Sequence, residues 1–232
     1  MIRHTIVAVV AVLACATLQV RPAYADQWLG LDIGYFAARG ENARVSGDVV
    51  AADRSFLSFN VNDLRNATVG GEWLVGLGRH AEAGLGIGYY GSTVPSVYTD
   101  YVNTDGSEIR QQLKLRIVPI TATFRYLPFG NDAPIQPYVG VGVGIYNWRY
   151  SETGDFVDFA DYSVFHGSFA GTGTNVGPVV LGGVRVPMGP FAIGGELRYQ
   201  AGTGTLPASG GFAGPKIDLG GYNYLATVQF KF

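Results

Sequence analysis

The chain has 232 residues, of which 34 are glycine and only 15% are charged, with a formal net charge of −2. That balance gives no electrostatic footprint for nucleic acid, and a single cysteine, Cys15, excludes a disulfide framework and thiolate metal sites. After the first residues, no apolar run approaches the roughly 20 residues a transmembrane helix needs.

In chain order, the first residues read as an export signal. Arg3 supplies a positive start, Ile6 to Ala14 an apolar run, and Ala23-Tyr24-Ala25 a small-x-small cleavage site before Asp26. A lipoprotein-type site at Val12-Leu13-Ala14-Cys15 is the alternative, with Leu13 a mediocre fit. Cleavage after Ala25 leaves residues 26–232 as one domain with 14 basic and 18 acidic side chains.

Eight stretches of that domain alternate with the two-residue period of a strand. The first, about 27–38, shows Leu29, Leu31, Ile33 and Tyr35 on one face against Gly30, Asp32 and Gly34. The second, about 67–77, sets Val69, Trp73, Val75 and Leu77 against Gly70, Glu72 and Gly76, and the third, about 81–91, sets Leu85, Ile87 and Tyr89 against Glu82, Gly84 and Gly86. The fourth ends with Ile120, Ala122, Phe124 and Tyr126 opposite Thr121, Thr123 and Arg125. The fifth reads Val139, Val141, Val143 and Ile145 against Tyr138, Gly140, Gly142 and Gly144. In the sixth, about 174–187, both parities are apolar. The seventh carries Phe191, Ile193, Leu197 and Tyr199 opposite Glu196 and Arg198, and the eighth alternates Tyr222, Tyr224, Ala226, Val228, Phe230 and Phe232.

One face of each stretch is apolar while the other is repeatedly glycine, so the apolar face needs lipid outside it and the small face encloses a lumen. A soluble sandwich also alternates, but it puts bulk on the inward face. Long connections at 39–66, 92–109, 151–173 and 201–218 alternate with short turns. The expectation is an all-β, eight-stranded antiparallel transmembrane β-barrel, with short periplasmic turns and long extracellular loops.

Pro137-Tyr138-Val139-Gly140-Val141-Gly142-Val143-Gly144, with the alternation from Tyr224 to Phe232, resembles the small eight-stranded outer-membrane barrels of the OmpW and OmpA type. The resemblance covers residues 26–232 at the level of pattern. It implies residence in the bacterial outer membrane. It also implies that Tyr224, Val228, Phe230 and Phe232 form the aromatic strand signal read by the barrel-insertion machinery. The expectation is that no cell-wall-binding domain follows Phe232, a departure from the full OmpA plan that would remove cell-wall anchoring. OmpW-like barrels are linked to binding or passage of small apolar molecules, which makes a small hydrophobic ligand the implied partner; no cofactor is implied.

Parity places Asp32, Glu72, Glu82 and Glu196 in the lower lumen with Arg125, Arg185, Arg198 and Lys231. Four acids against four bases predict a salt-bridged plug, because desolvated charges persist only when paired; an ion pathway would favour a ring of one sign. Higher up, Leu113, Leu115 and Ile117 point inward beside Tyr146, Trp148 and Tyr150, with Phe36 and Tyr90 at similar height. These eight form a candidate apolar pocket at the mouth. The alternatives are a bulge near Ile117, which would return Leu113 and Leu115 to lipid, or an aromatic lid on the plug.

Arg39, Arg65, Lys114, Arg116 and Arg149 point outward at the outer interface, a collar suited to lipopolysaccharide phosphates or to ordinary snorkelling. Besides this, His166-Gly167-Ser168 resembles the His-x-Ser element of outer-membrane lipid A deacylases, but the nearest following acid is Glu196, on another strand and facing in. No His or Cys cluster suits a metal, and the acids of Asp155 to Asp161 lack calcium-loop spacing. Two function classes follow: a non-enzymatic barrel binding or passing small apolar molecules at its upper lumen, or a structural or surface-interaction protein working through its loops.

Overall fold

The strands of the computed structural model, which describes residues 26–232, are in chain order β1 (Gln27–Ala38), β2 (Leu57–Ser58), β3 (Asn66–Gly76), β4 (Ala81–Val102), β5 (Glu108–Tyr126), β6 (Gln136–Val157), β7 (Val164–Met188), β8 (Phe191–Gln200), β9 (Thr203–Thr205), β10 (Lys216–Asp218) and β11 (Gly221–Lys231). The expected export signal, with Cys15, lies outside the described residues. Eight long strands, β1, β3 to β8 and β11, pair antiparallel with their neighbours, and β1 closes on β11. Closure satisfies every wall strand on both sides, the condition for crossing lipid.

Alternation builds the wall in two bands. On the membrane band the outward positions are apolar and exposed, as in Leu29, Leu31 and Ile33 of β1 or Val139, Val141 and Val143 of β6. Above it the outward positions turn polar while pairing continues. The expected connections at 92–109 and 151–173 are therefore mostly strand: β4 runs on to Val102, β6 to Val157, and β7 begins at Val164. The lipid-facing signal stops where the bilayer stops, but the inward alternation Ser92, Val94, Ser96, Tyr98 does not.

The register between β4 and β5 is unbroken from Ala81 opposite Tyr126 through Tyr90 opposite Ile117, and shifts only between Val97 and Val102. There is no bulge at Ile117, so Leu113, Leu115 and Ile117 stay on the inward face, all buried. The doubly apolar sixth stretch also has a physical reason. Outward Val176, Val180 and Val184 meet lipid, while inward Val179 and Leu181 pack with Leu127 and Tyr138 at the floor of the barrel.

Inward glycines give large side chains room to lie across the wall. A Cβ on Gly144 would sit 2.5 Å from the Tyr146 hydroxyl, and one on Gly183 2.5 Å from that of Tyr138. The same alternation that makes the outside greasy makes the inside able to hold bulk.

Candidate functional site

The lower lumen is a network of buried ion pairs. Arg125, 0% exposed, donates to Glu72 at 2.6 Å and to Glu196 at 2.7 Å, and its guanidinium lies 4.7 Å from the Tyr138 ring centroid. Arg198 meets Glu196 at 2.6 Å and Glu72 at 3.4 Å. Arg185 pairs with Glu82 and donates to Gln136 at 2.7 Å and Gln229 at 3.2 Å, under the Trp28 ring. Two of the expected members stand apart. Lys231 is not in the plug: it lies at the periplasmic rim, its side chain 39% exposed, paired with Asp26 at 2.8 Å. Parity aims it inward, but it sits past the end of the lumen. Asp32 is inside and buried, yet no arginine bridges it, and its Oδ1 has no hydrogen-bond partner among the described residues.

The candidate apolar mouth is packed rather than open. Phe36 and Tyr90 stack edge to face at 4.6 Å, and Leu113, Leu115, Ile117, Tyr146, Trp148 and Tyr150 are buried around them. The chain's own loops fill the space between: Val49 and Val50 of a short helix (Val49–Asp53), with Leu206, Ile217 and Leu219 from around the β9–β10 hairpin, belong to the same core. Trp148 donates to Asn175 at 2.7 Å, which satisfies its indole in the packed layer.

Asp48 and Asp218 hold that insertion down. Asp48 caps the short helix through Ala51 N–H at 3.0 Å, pairs with Arg44 at 2.5 Å and accepts from Asp218 N–H at 2.6 Å. Asp218 in turn accepts from Val45 N–H at 3.0 Å and from Arg39 at 3.2 Å. These residues escape sequence reasoning because loops have no period; the Asp48 cap ahead of an apolar pair was the available signal.

Above the packed layer the β6–β7 hairpin and the 49–58 segment enclose a cup of about 450 Å3. Phe56, Phe156, Phe159, Phe165 and Phe169 form its walls, with Phe156 and Phe169 edge to face at 4.8 Å. Asp53, Glu152, Gln111 and Tyr98 line its inner end. Tyr150 donates to Asp53 at 3.0 Å, and Gln111 donates to Tyr98 at 3.0 Å. Burial, followed by the Glu152 charge, pushes Asp53 up to about 8, and burial pushes Glu152 up to about 7.

On the outer face, Lys114, Arg116 and Arg149 are exposed, and Arg116 stands directly opposite Arg149. None of the three has an acidic partner within salt-bridge distance among the described residues. Arg65 is exposed as well, whereas Arg39 is half-buried, bound to Asp218 and Tyr199. His166 finds its acid across the strand pair: Asp155, at 2.9 Å, not Glu196. Ser168 hydrogen-bonds Thr153 at 3.1 Å rather than His166.

No protein-family model matches the chain, and no curated protein sequence matches it. Among solved structures it is similar to the outer membrane protein OprG of Pseudomonas aeruginosa, 13% identical, with 90% of this chain and 96% of that one covered and a TM-score of 0.54. Neisserial surface protein A, NspA, is also 13% identical, with 89% and 97% covered and a TM-score of 0.48. The fold is that of the small eight-stranded outer-membrane barrels.

Proposed function

We propose that this protein is a non-enzymatic outer-membrane barrel that binds small apolar molecules at its outward mouth and does not let them or ions through the lumen. The observation that carries this reading is the aromatic cup of about 450 Å3, open above a layer of loop side chains and a floor of buried ion pairs. The site lies one storey above the pocket expected from parity, because Val49, Leu206 and Ile217 occupy that pocket. The unpaired Lys114, Arg116 and Arg149 face favours phosphates of lipopolysaccharide as its lipid partner. Ser168 bonds Thr153 rather than His166, so the His-x-Ser element forms no nucleophile–base pair.

The test is calorimetric titration of straight-chain alcohols into the protein in lipid nanodiscs, with empty discs subtracted. Each added methylene is worth about 0.8 kcal/mol on burial, so affinity climbs about fourfold per carbon until the cup is full. Phe156→Ala and Phe169→Ala weaken the whole series. Affinity independent of both chain length and these changes would transfer the role to the loop surfaces.

A further inference from the structure

Two carboxylates and an amide oxygen share the inner end of the cup without the partners that such groups need. Asp53 is 0% exposed, Glu152 4% and Gln111 2%. Asp53 Oδ1, Glu152 Oε1 and Gln111 Oε1 have no hydrogen-bond partner among the described residues. A buried acceptor left unsatisfied costs about 1–3 kcal/mol, more when charged, so three of them beside one cavity mark a place that wants donors.

The surroundings narrow what those donors are. Among the described residues, the polar or titratable side chains that interact with the two acids or line the cup with them are acidic or neutral: Tyr150 of β6, Tyr98 of β4, Gln111 of β5, Asp48 of the short helix's own segment, and Asp158 at the hairpin rim. No residue lining the cup is basic. Arg44 is committed to Asp48, and Arg54 turns away to Glu41 and the Phe59 carbonyl. The walls are phenyl rings, whose faces attract a cation and whose bulk disfavours a hydrated metal ion. An apolar molecule without a donor head would leave the acceptors unsatisfied, and an anion would be repelled, so the apolar ligand of this cup carries a donor.

We propose that the cup is a site for a small organic cation, a protonated amine or guanidinium on an apolar or aromatic body, whose N–H groups are received by Asp53, Glu152 and Gln111 while its body packs against Phe156 and Phe169. This inference rests on the reading of the cup as a binding site and gives that site its ligand chemistry. The raised carboxyls add a consequence: Asp53 keeps its proton and Glu152 a share of its own toward neutral pH, so binding a cation releases protons.

The experiment compares 2-phenylethylammonium with 2-phenylethanol, equal in body and differing in the head, by calorimetry in nanodiscs near pH 7. The ammonium is expected to bind about tenfold or more tightly than the alcohol, and to release protons when the titration is repeated in buffers of different ionisation enthalpy. The double variant D53N/E152Q brings the ammonium down toward the level of the alcohol, so that the ratio of the two affinities collapses. The amide oxygen that D53N introduces still accepts from Tyr150, and an unaltered circular dichroism melt verifies that the variant folds. Equal affinities in the parent overturn the cation assignment while the cup reading stands; no binding of either probe overturns both. Binding of calcium chloride that the double variant abolishes, without binding of the ammonium, overturns the organic cation in favour of a metal.

Discussion

Asp32 apart, the lower lumen and the cup both bury carboxylates and treat them in opposite ways. Below, Glu72, Glu82 and Glu196 each meet an arginine, and Arg125 joins two of them. Above, Asp53 and Glu152 meet a tyrosine hydroxyl and each other's field, with no cation paired to them among the described residues. Paired acids inside a barrel of this width close it, because each charge is held by a partner that also fills space. Unpaired acids beside an open cavity leave a demand that a ligand can meet. On the proposed reading, the difference separates a structural floor from a receptive mouth within one lumen.

The largest effect should come from breaking the floor. Arg125→Met leaves Glu72 and Glu196 sharing only Arg198, an uncompensated buried charge that costs about 3–5 kcal/mol. Urea unfolding from lipid vesicles, followed by tryptophan fluorescence, measures it. Glu152→Gln in the mouth should cost nothing comparable, since no arginine or lysine among the described residues pairs with Glu152 and none is left stranded. Equal losses from the two changes would erase the distinction between the regions.

A smaller effect separates them by pH. Asp53, raised to about 8, and Glu152, raised to about 7, bind protons in the folded cup that the unfolded chain has already lost. Their contribution to stability is fully present below about pH 4 and is lost as pH rises through about 7 to 8. Hydrogen exchange at the Val49–Asp53 helix, corrected for intrinsic rates, should therefore show protection falling over that window. In Asp53→Asn the fall is shallower. A parent helix equally protected at about pH 5 and about pH 9 would show that the acids carry no such strain.

Much of the floor was legible in the sequence and little of the mouth was, for physical reasons. Arg125, Glu72 and Glu196 stand on strands whose opposite face is apolar, so parity alone aims them inward. Parity says nothing about height, which is why Lys231 was expected in the plug when it meets Asp26 at the rim. Leu113 and Leu115 were placed inward by the same rule, but what covers them was not visible: Val49, Ile217 and Leu219 come from aperiodic loops and reach the barrel through tertiary packing. Glu152 fell in a stretch that reads as a loop, because outward Ser151 and Thr153 carry no lipid-facing signal there.

The smallest effect concerns the outer face at the height where floor gives way to mouth. Arg116 and Arg149 are direct cross-strand neighbours, and like charges so placed destabilise by about 0.2–1 kcal/mol unless an anion lies between them. In a bilayer of neutral lipid, Arg116→Ala should therefore stabilise the barrel slightly. In a bilayer carrying lipopolysaccharide the sign should reverse, because the substitution then removes a bidentate phosphate contact rather than a repulsion. Urea midpoints for parent and variant in the two bilayers give the comparison directly. A change of the same sign and size in both would mean that Arg116 and Arg149 only snorkel to the interface and carry no preference for lipopolysaccharide.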